Sequence, residues 1–135
     1  MRYGVLIDGE PGAYGVVFPD LPGCTAMGDT VDNALAGASE ALNDWVRGVR
    51  AKGGSVPAAR SMQQLRGDPE VEEALAEGSV LAVVPLVDES GRAVKANLSL
   101  DSGVLAAIDA AARRLRVTRS SLVEILARSG LPRLP

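Results

Sequence analysis

The sequence predicts an α+β chain in two parts: an antiparallel sheet with one main helix, and then a strand followed by two helices. Residues 2–27 contain short β-rich runs separated by turn formers, whereas residues 30–52 show the apolar spacing of an amphipathic helix. The charge also changes along the chain. Residues 1–91 carry 6 Lys or Arg and 14 Asp or Glu, whereas residues 92–135 carry 8 and 3. The net charge of −3 therefore combines an acidic part with a basic part suited to anions.

The first part of the chain predicts three short strands. Residues 2–7 and 13–18 are rich in β-branched and aromatic side chains, and the turn-forming residues 8–12 between them predict a hairpin with a five-residue connection. The prolines and glycine within residues 19–23 interrupt regular structure. Residues 24–27 are then expected to form a short third strand.

The main helix is predicted to begin after Thr30, whose hydroxyl suits an N-cap, and to end at Gly53 and Gly54. Its apolar residues recur at spacings of three and four: Val31, Ala34, Leu35, Ala38, Leu42, Trp45 and Val49. After a stretch without a clear pattern, an Asp-Pro pair predicts the start of a short helix over residues 69–76.

A continuous apolar run fills residues 79–87. The run is too continuous for an exposed strand, so it predicts a strand in a sheet that is covered on both faces, or nearly so. The polar residues 88–93 are expected to be a linker between a first domain, residues 1–87, and a second domain, residues 94–130.

The second domain predicts a strand followed by two helices. Apolar and polar side chains alternate over residues 94–100, with Val94, Ala96, Leu98 and Leu100 on one face and Lys95, Asn97 and Ser99 on the other. A cap at Asp101 or Ser102 predicts the first helix. Thr118 predicts the N-cap of the second helix, which is expected to end at Gly130.

Composition excludes several classes of function. The chain has no histidine, which excludes Ser-His and Cys-His nucleophile pairs and any His-ligated metal. Its single cysteine, Cys24, cannot form an internal disulfide or a Cys-based zinc site and is expected to be a small buried residue. We therefore predict no metal site and no cofactor, and expect a reducing, cytoplasmic location. No apolar run approaches the roughly 20 residues that span a membrane, so no membrane partner is predicted.

The strand of the second domain has no partner within its own domain. A second copy of the chain could supply one, so that two strands pair antiparallel and four helices enclose one core. A two-stranded ribbon fits the DNA major groove, and the polar face of this one would carry Lys95, Asn97 and Ser99. The start of the second helix, Thr118-Arg119-Ser120, offers backbone N–H groups and a positive dipole end to a phosphate.

This arrangement resembles a ribbon-helix-helix DNA-binding domain. The resemblance covers about residues 93–130 and rests on the alternating strand, the helix after it and the sequence Thr118-Arg119-Ser120-Ser121-Leu122. It implies a homodimer, or a higher oligomer, that binds operator DNA. The alternative to a DNA-binding role is that Lys95 and Asn97 lie only on the solvated face of an edge strand. Ser99 is shorter than the side chain that such domains often carry there, which leaves sequence readout at this position open.

The first domain resembles the HicB family of antitoxins. The resemblance rests on the sequence Phe18-Pro19-Asp20-Leu21-Pro22-Gly23-Cys24, followed by Gly28-Asp29-Thr30 and Ala34. It implies a degenerate RNase H-like fold that binds HicA, a small basic toxin that cleaves mRNA. The candidate toxin-binding residues are Phe18, Pro19, Asp20, Leu21 and Pro22, although the prolines could simply shape a turn. The acidic charge of this domain suits a basic partner.

Together the two resemblances imply an antitoxin that neutralises its toxin and represses the operon encoding both proteins. An alternative is a stand-alone ribbon-helix-helix transcriptional regulator whose first domain senses a ligand or another partner. A residual nuclease is the third hypothesis, since RNase H chemistry uses clustered carboxylates that hold metal ions about 4 Å apart. Asp8, at the end of a predicted strand, would be its best surviving carboxylate. We expect that the chain is not an enzyme and has no catalytic residues.

Overall fold

The computed structural model describes residues 1–87 and 91–135. Residues 88–90 of the predicted linker lie outside the described residues. The chain divides into two compact units, Met1–Val87 and Asp88–Pro135, which we call the N-terminal unit and the C-terminal unit. No helix in the described ranges is long and apolar enough to cross a membrane.

The N-terminal unit is an antiparallel sheet with helices on both faces, which confirms the predicted α+β class. Its elements are β1 (Arg2–Glu10), β2 (Ala13–Val17), β3 (Thr25–Gly28), α1 (Val31–Ala51), α2 (Met62–Arg66), α3 (Pro69–Ala76) and β4 (Val80–Pro85). The strand order is β3-β2-β1-β4, so β1 lies at the centre of the sheet between β2 and β4.

The hairpin of β1 and β2 is tighter than predicted. The five-residue connection is wrong, because Glu10 already pairs with Ala13 and only Pro11 and Gly12 form the turn. Proline followed by a glycine at φ 95° is typical of a type II turn. Gly9, within β1, has a φ of 99°, which favours glycine at this position.

Two apolar clusters hold the helices against the sheet. On one face, Tyr3 and Val5 of β1 pack with Ala38, Leu42 and Val46 of α1. On the other face, the cluster comprises Leu6, Leu65 and Val71, which come from β1, α2 and α3. Because side chains alternate along a strand, β1 supplies both clusters and joins the three layers.

The strand predicted over residues 79–87 is confirmed as β4, but its surroundings differ from those expected. The strand pairs only with β1 and lies at an edge of the sheet. Val84 packs in the cluster under α1, and Leu81 packs against the cluster on the opposite face. Val80 and Val83, however, are 61% and 45% exposed. The expectation of cover on both faces is therefore wrong for part of the strand, because the helices do not reach these two side chains.

The helices of the N-terminal unit begin at well-formed caps. Thr30 accepts a hydrogen bond from the Asn33 N–H, and Asp68 accepts one from the Glu70 N–H, as predicted for α1 and α3. The sequence prediction missed α2. A capping box marks its start: the Ser61 hydroxyl accepts from the Gln64 N–H, and the Gln64 side chain accepts from the Ser61 N–H.

The C-terminal unit contains the two predicted helices, α4 (Ser102–Leu115) and α5 (Arg119–Gly130), followed by a short 3-10 turn. Asp101 caps α4, and Thr118 caps α5 through the Ser121 N–H. Arg116 ends α4 in a left-handed conformation with a φ of 56°, which allows the chain to reverse between the helices.

The predicted strand over residues 94–100 is not formed in the single chain. These residues have no regular secondary structure, and every one of them is exposed. Val94 and Leu98, for example, are 85% and 69% exposed. A strand requires hydrogen bonds to a second strand, and the described part of the C-terminal unit contains no other strand to provide them.

Candidate functional site

The candidate toxin-binding turn joins β2 to β3. It is stabilised by backbone hydrogen bonds from Leu21 N to Phe18 O (3.1 Å) and from Cys24 N to Leu21 O (3.0 Å). Gly23 has a φ of 85°, which explains the glycine in this sequence. Phe18, Leu21 and Cys24 are buried in the cluster under α1, so these three residues of the motif belong to the core.

Cys24 is a core residue, as the sequence predicts. Its thiol is buried, and this burial raises its pKa to about 11. A thiol with such a pKa is protonated near neutral pH and is therefore a poor nucleophile and metal ligand.

Asp20 anchors the turn to a segment forty residues away. Its carboxylate, with a side chain only 4% exposed, accepts hydrogen bonds from Arg60 N (2.9 Å) and Arg60 Nε (2.5 Å). The Arg60 guanidinium also donates from Nη1 to Asp68 Oδ2 (2.9 Å). Hydrogen bonds from Arg60 and from the Glu70 N–H lower the pKa of Asp68. Arg60 thus joins the turn to the start of α3.

A second contact holds the same segment against the sheet. The Tyr3 hydroxyl donates a 2.6 Å hydrogen bond to the Pro57 carbonyl oxygen. Burial and, to a lesser degree, the charge of Asp20 raise the pKa of Tyr3. Residues 57–60 are therefore fixed at two points although they belong to no helix or strand.

The candidate toxin-binding residues consequently differ in what they expose. Phe18 and Leu21 are buried and the Asp20 carboxylate is occupied by Arg60, whereas Pro19 is half-buried and Pro22 is exposed. The side chains available to a partner at this turn are those of the two prolines.

Asp8, the candidate carboxylate of a residual nuclease, lies within β1 rather than at its end. It is exposed and stands opposite Gly15 of β2. Among the described residues, no group of three or more Cys, Asp or Glu side chains is placed to hold a metal ion.

The C-terminal unit brings together several of the candidate DNA-binding residues. A groove of about 450 Å³ runs between residues 94–100 and the start of α5. Its polar lining residues are Asn97, Arg119, Ser120 and the acidic Glu124, and the remaining lining residues are apolar. Thr118 serves as the N-cap next to it, and Lys95 and Ser99 are exposed on the neighbouring segment. Residues about 20 positions apart in the sequence therefore share one surface.

Arg119 is the most constrained of these residues. It forms a two-point ion pair with Asp109 of α4: Nε lies 2.8 Å from Oδ1, and Nη2 lies 2.9 Å from Oδ2. The hydrogen bonds from Arg119 lower the pKa of Asp109, and those to Asp109 raise the pKa of Arg119. The sequence prediction missed Asp109, whose partner lies ten residues further along the chain.

The C-terminal unit also exposes many large apolar side chains. They lie on the segment before α4, on both helices and at the end of the chain: Val94, Leu98, Leu100, Val104, Leu115, Ile125, Leu126, Leu131 and Leu134. Only Ala112 and Leu122 are buried in the described part of this unit. So much exposed apolar surface marks an interaction site.

Comparison with known proteins identifies the class of the chain. The model of the HicB-like antitoxins of bacterial toxin–antitoxin systems matches residues 3–127. This match covers most of both units, so the chain belongs to that family, and the predicted resemblance is confirmed.

Individual proteins show the same similarity. The crystal structure of the Burkholderia pseudomallei antitoxin HicB is 29% identical and covers 97% of this chain and 98% of that chain, with a TM-score of 0.56. A chain of a solved HicA3 and HicB3 toxin–antitoxin complex is 25% identical, covering 65% of this chain and 100% of that chain, with a TM-score of 0.55.

A relative known from its sequence is the uncharacterized 14.9 kDa protein of the rep-hol intergenic region of Haemophilus phage HP1 (strain HP1c1). It is 28% identical over 109 residues, which cover 81% of this chain and 80% of the phage protein.

Proposed function

We propose that the N-terminal unit binds and neutralises a HicA-like mRNA interferase. The observation that carries this proposal is the family membership, together with the similarity of this chain to part of a HicA3 and HicB3 complex. Charge supports it, because residues 1–91 carry 14 acidic and 6 basic side chains. A toxin that binds RNA presents a basic surface, which an acidic partner complements.

The turn between β2 and β3 is our candidate contact surface. Phe18, Asp20 and Leu21 hold its shape through the core and through Arg60, and they leave Pro19 and Pro22 to meet the partner. A turn held at both ends loses little conformational freedom on binding, which favours affinity.

Co-purification with a HicA-like toxin tests the proposal, and a small basic protein encoded beside this chain would be the first candidate. We expect the two full-length proteins to form a complex that Pro22→Arg weakens about tenfold or more, because the substitution places a cation against a basic partner. Pro11→Arg is the matched control, since Pro11 is exposed in the turn between β1 and β2. Equal loss with both variants would reject the turn as the contact, and no complex with the wild-type chain would reject the function.

We infer that the C-terminal unit forms a ribbon-helix-helix dimer that binds operator DNA and represses its own operon. Residues 94–100 lack a strand partner and expose their apolar side chains, as expected for a ribbon whose second strand comes from another copy. The 8 basic and 3 acidic residues after position 91 support binding to phosphate. We propose that the full chain forms a folded homodimer in the cytoplasm. We further propose that it has neither a cofactor nor catalytic activity.

Binding to a duplex that spans the promoter of its own operon tests this second activity. Lys95→Ala with Asn97→Ala should weaken the gel shift about tenfold or more, since each base contact contributes about 1–3 kcal/mol of discrimination. Lys52→Ala removes one positive charge from the N-terminal unit and serves as the control. An unchanged shift in the double variant would reject the assignment of these two residues.

A further inference from the structure

We propose that Asp109 is a positioning residue for DNA binding: it orients the Arg119 guanidinium so that one edge remains available to a backbone phosphate. The inference rests on the proposed binding of DNA by the C-terminal unit. It adds an acidic residue to a surface for which the sequence indicates only basic and polar ones.

The geometry of the ion pair supports this role. A guanidinium has five N–H donors in a rigid plane. Asp109 accepts from Nε and from one N–H of Nη2, so both bonds lie along one side of that plane. The two N–H groups of Nη1 and the second N–H of Nη2 remain on the outer end. Two donors on that end can bind two oxygens of one phosphate.

The location of the Asp109–Arg119 pair in the C-terminal unit also supports a positioning role. Arg119 is the first residue of α5, where the N–H groups of the first turn and the helix dipole favour an anion. Asp109 belongs to α4, so the pair ties the side chain of Arg119 to a second helix. The Arg119 side chain is 59% exposed. The guanidinium is therefore fixed yet accessible.

The alternative is that Asp109 competes with DNA for Arg119. The two roles predict opposite results when the charge is removed. If Asp109 competes, Asp109→Asn releases a cation and removes an anion near the phosphates, so DNA binding becomes tighter. If Asp109 positions Arg119, the released side chain must be ordered again when DNA binds, so binding becomes weaker.

Titrations of the full-length chain with the promoter duplex distinguish these roles. We expect Asp109→Asn to weaken binding about two- to tenfold, the cost of ordering one long side chain. Asp109→Glu should bind more tightly than Asp109→Asn, and Asp109→Asn should cause no loss of affinity in an Arg119→Ala background. Glu124 lines the groove beside Arg119 but pairs with Arg128. Glu124→Gln therefore removes an acid from this surface without removing the partner of Arg119, and it should leave affinity unchanged or raise it.

Several outcomes would overturn the proposal. They are equal or tighter binding by Asp109→Asn, or an equal loss with and without Arg119. Sedimentation and thermal unfolding of each variant identify a loss that comes from disrupted structure, which would also argue against positioning. If the wild-type chain does not bind the duplex, the proposed DNA binding fails, whereas a wild-type shift that Asp109→Asn preserves rejects the positioning role alone.

Discussion

Arg60 connects three parts of the N-terminal unit: the turn after β2, the segment before α2 and the start of α3. Its backbone and side chain bind Asp20, and its guanidinium also binds Asp68. Asp20 stands in the motif that indicates the family, yet its carboxylate is turned to the inside of the molecule. The sequence offers no signal for this pairing, because Arg60 lies forty residues away in a stretch without a clear pattern.

The Arg60–Asp68 pair makes the stability of the N-terminal unit depend on pH. The pKa of Asp68 is below its ordinary value of 3.8 in the folded chain, so its contribution is present above that value. This contribution is lost as the pH falls through the lower, folded pKa. We expect Asp68→Asn, which retains a capping side chain, to lose less stability on acidification than the wild-type protein.

This dependence can be measured by urea unfolding between pH 2 and pH 6, with the fluorescence of Trp45 as the signal. Trp45 is the one tryptophan, and it reports on the N-terminal unit. Glu72→Gln, on the exposed side of α3, is the control. Parallel pH profiles for wild type and Asp68→Asn would contradict the assignment.

Ser39 is a buried polar residue in the core. It is buried in α1, and its Oγ has no hydrogen-bond partner among the described residues. A buried hydroxyl without a partner costs about 1–3 kcal/mol. Ser39→Ala should therefore raise the free energy of unfolding by about 1 kcal/mol, of which roughly 0.5 kcal/mol reflects helix propensity alone. Stability that is unchanged or lower in denaturant unfolding would show that the hydroxyl has a partner.

At the scale of elements, local signals predict where helices begin, whereas the pairing and surroundings of strands depend on distant residues. The caps Thr30, Asp68 and Thr118 stand in the sequence beside the helices they begin, so α1, α3 and α5 could be predicted. The edge position of β4 depends on which elements pack around it, and the segment before α4 has no strand partner among the described residues of its unit.

The junction between β3 and α1 explains the glycine of the family motif. A Cβ on Gly28 would collide with backbone atoms of α1, including Ala34 Cα at 2.8 Å, and these atoms cannot rotate away. Gly28→Ala should therefore lower the free energy of unfolding by about 1–3 kcal/mol. Gly48→Ala, an exposed position of α1 with no neighbour near its Cβ, should raise it by up to about 1 kcal/mol. Thermal unfolding that ranks the two variants in the opposite order would contradict this explanation.

At the scale of the whole molecule, the small net charge of −3 conceals an acidic first part and a basic second part of the chain. The family could be predicted because two separate motifs occur in the order that the family requires. The contact surfaces were harder to predict from sequence. The groove near Arg119 and the buried half of the turn after β2 depend on how distant residues pack.

The proposed dimer of the C-terminal unit can be tested at two neighbouring residues. Leu98 and Ser99 alternate in the predicted strand, so they would face the dimer core and the DNA, respectively. We expect Leu98→Asp to convert the dimer to a monomer and abolish DNA binding. Ser99→Asp should weaken DNA binding but leave the dimer intact. Because Leu98 is 69% exposed in the single chain, its substitution leaves the packing of the chain itself unaffected. Equal sedimentation of the two variants would contradict the proposed ribbon.

The central claim is that this chain is an antitoxin, and inhibition of its toxin measures that claim most directly. The HicA-like toxin that co-purifies with this chain would be incubated with RNA and increasing amounts of the full-length chain. We predict that RNA cleavage falls to background as the chain is added, and that Leu98→Asp inhibits equally well because the proposed toxin contact lies in the N-terminal unit. Undiminished cleavage at a large excess of the wild-type chain would contradict the account.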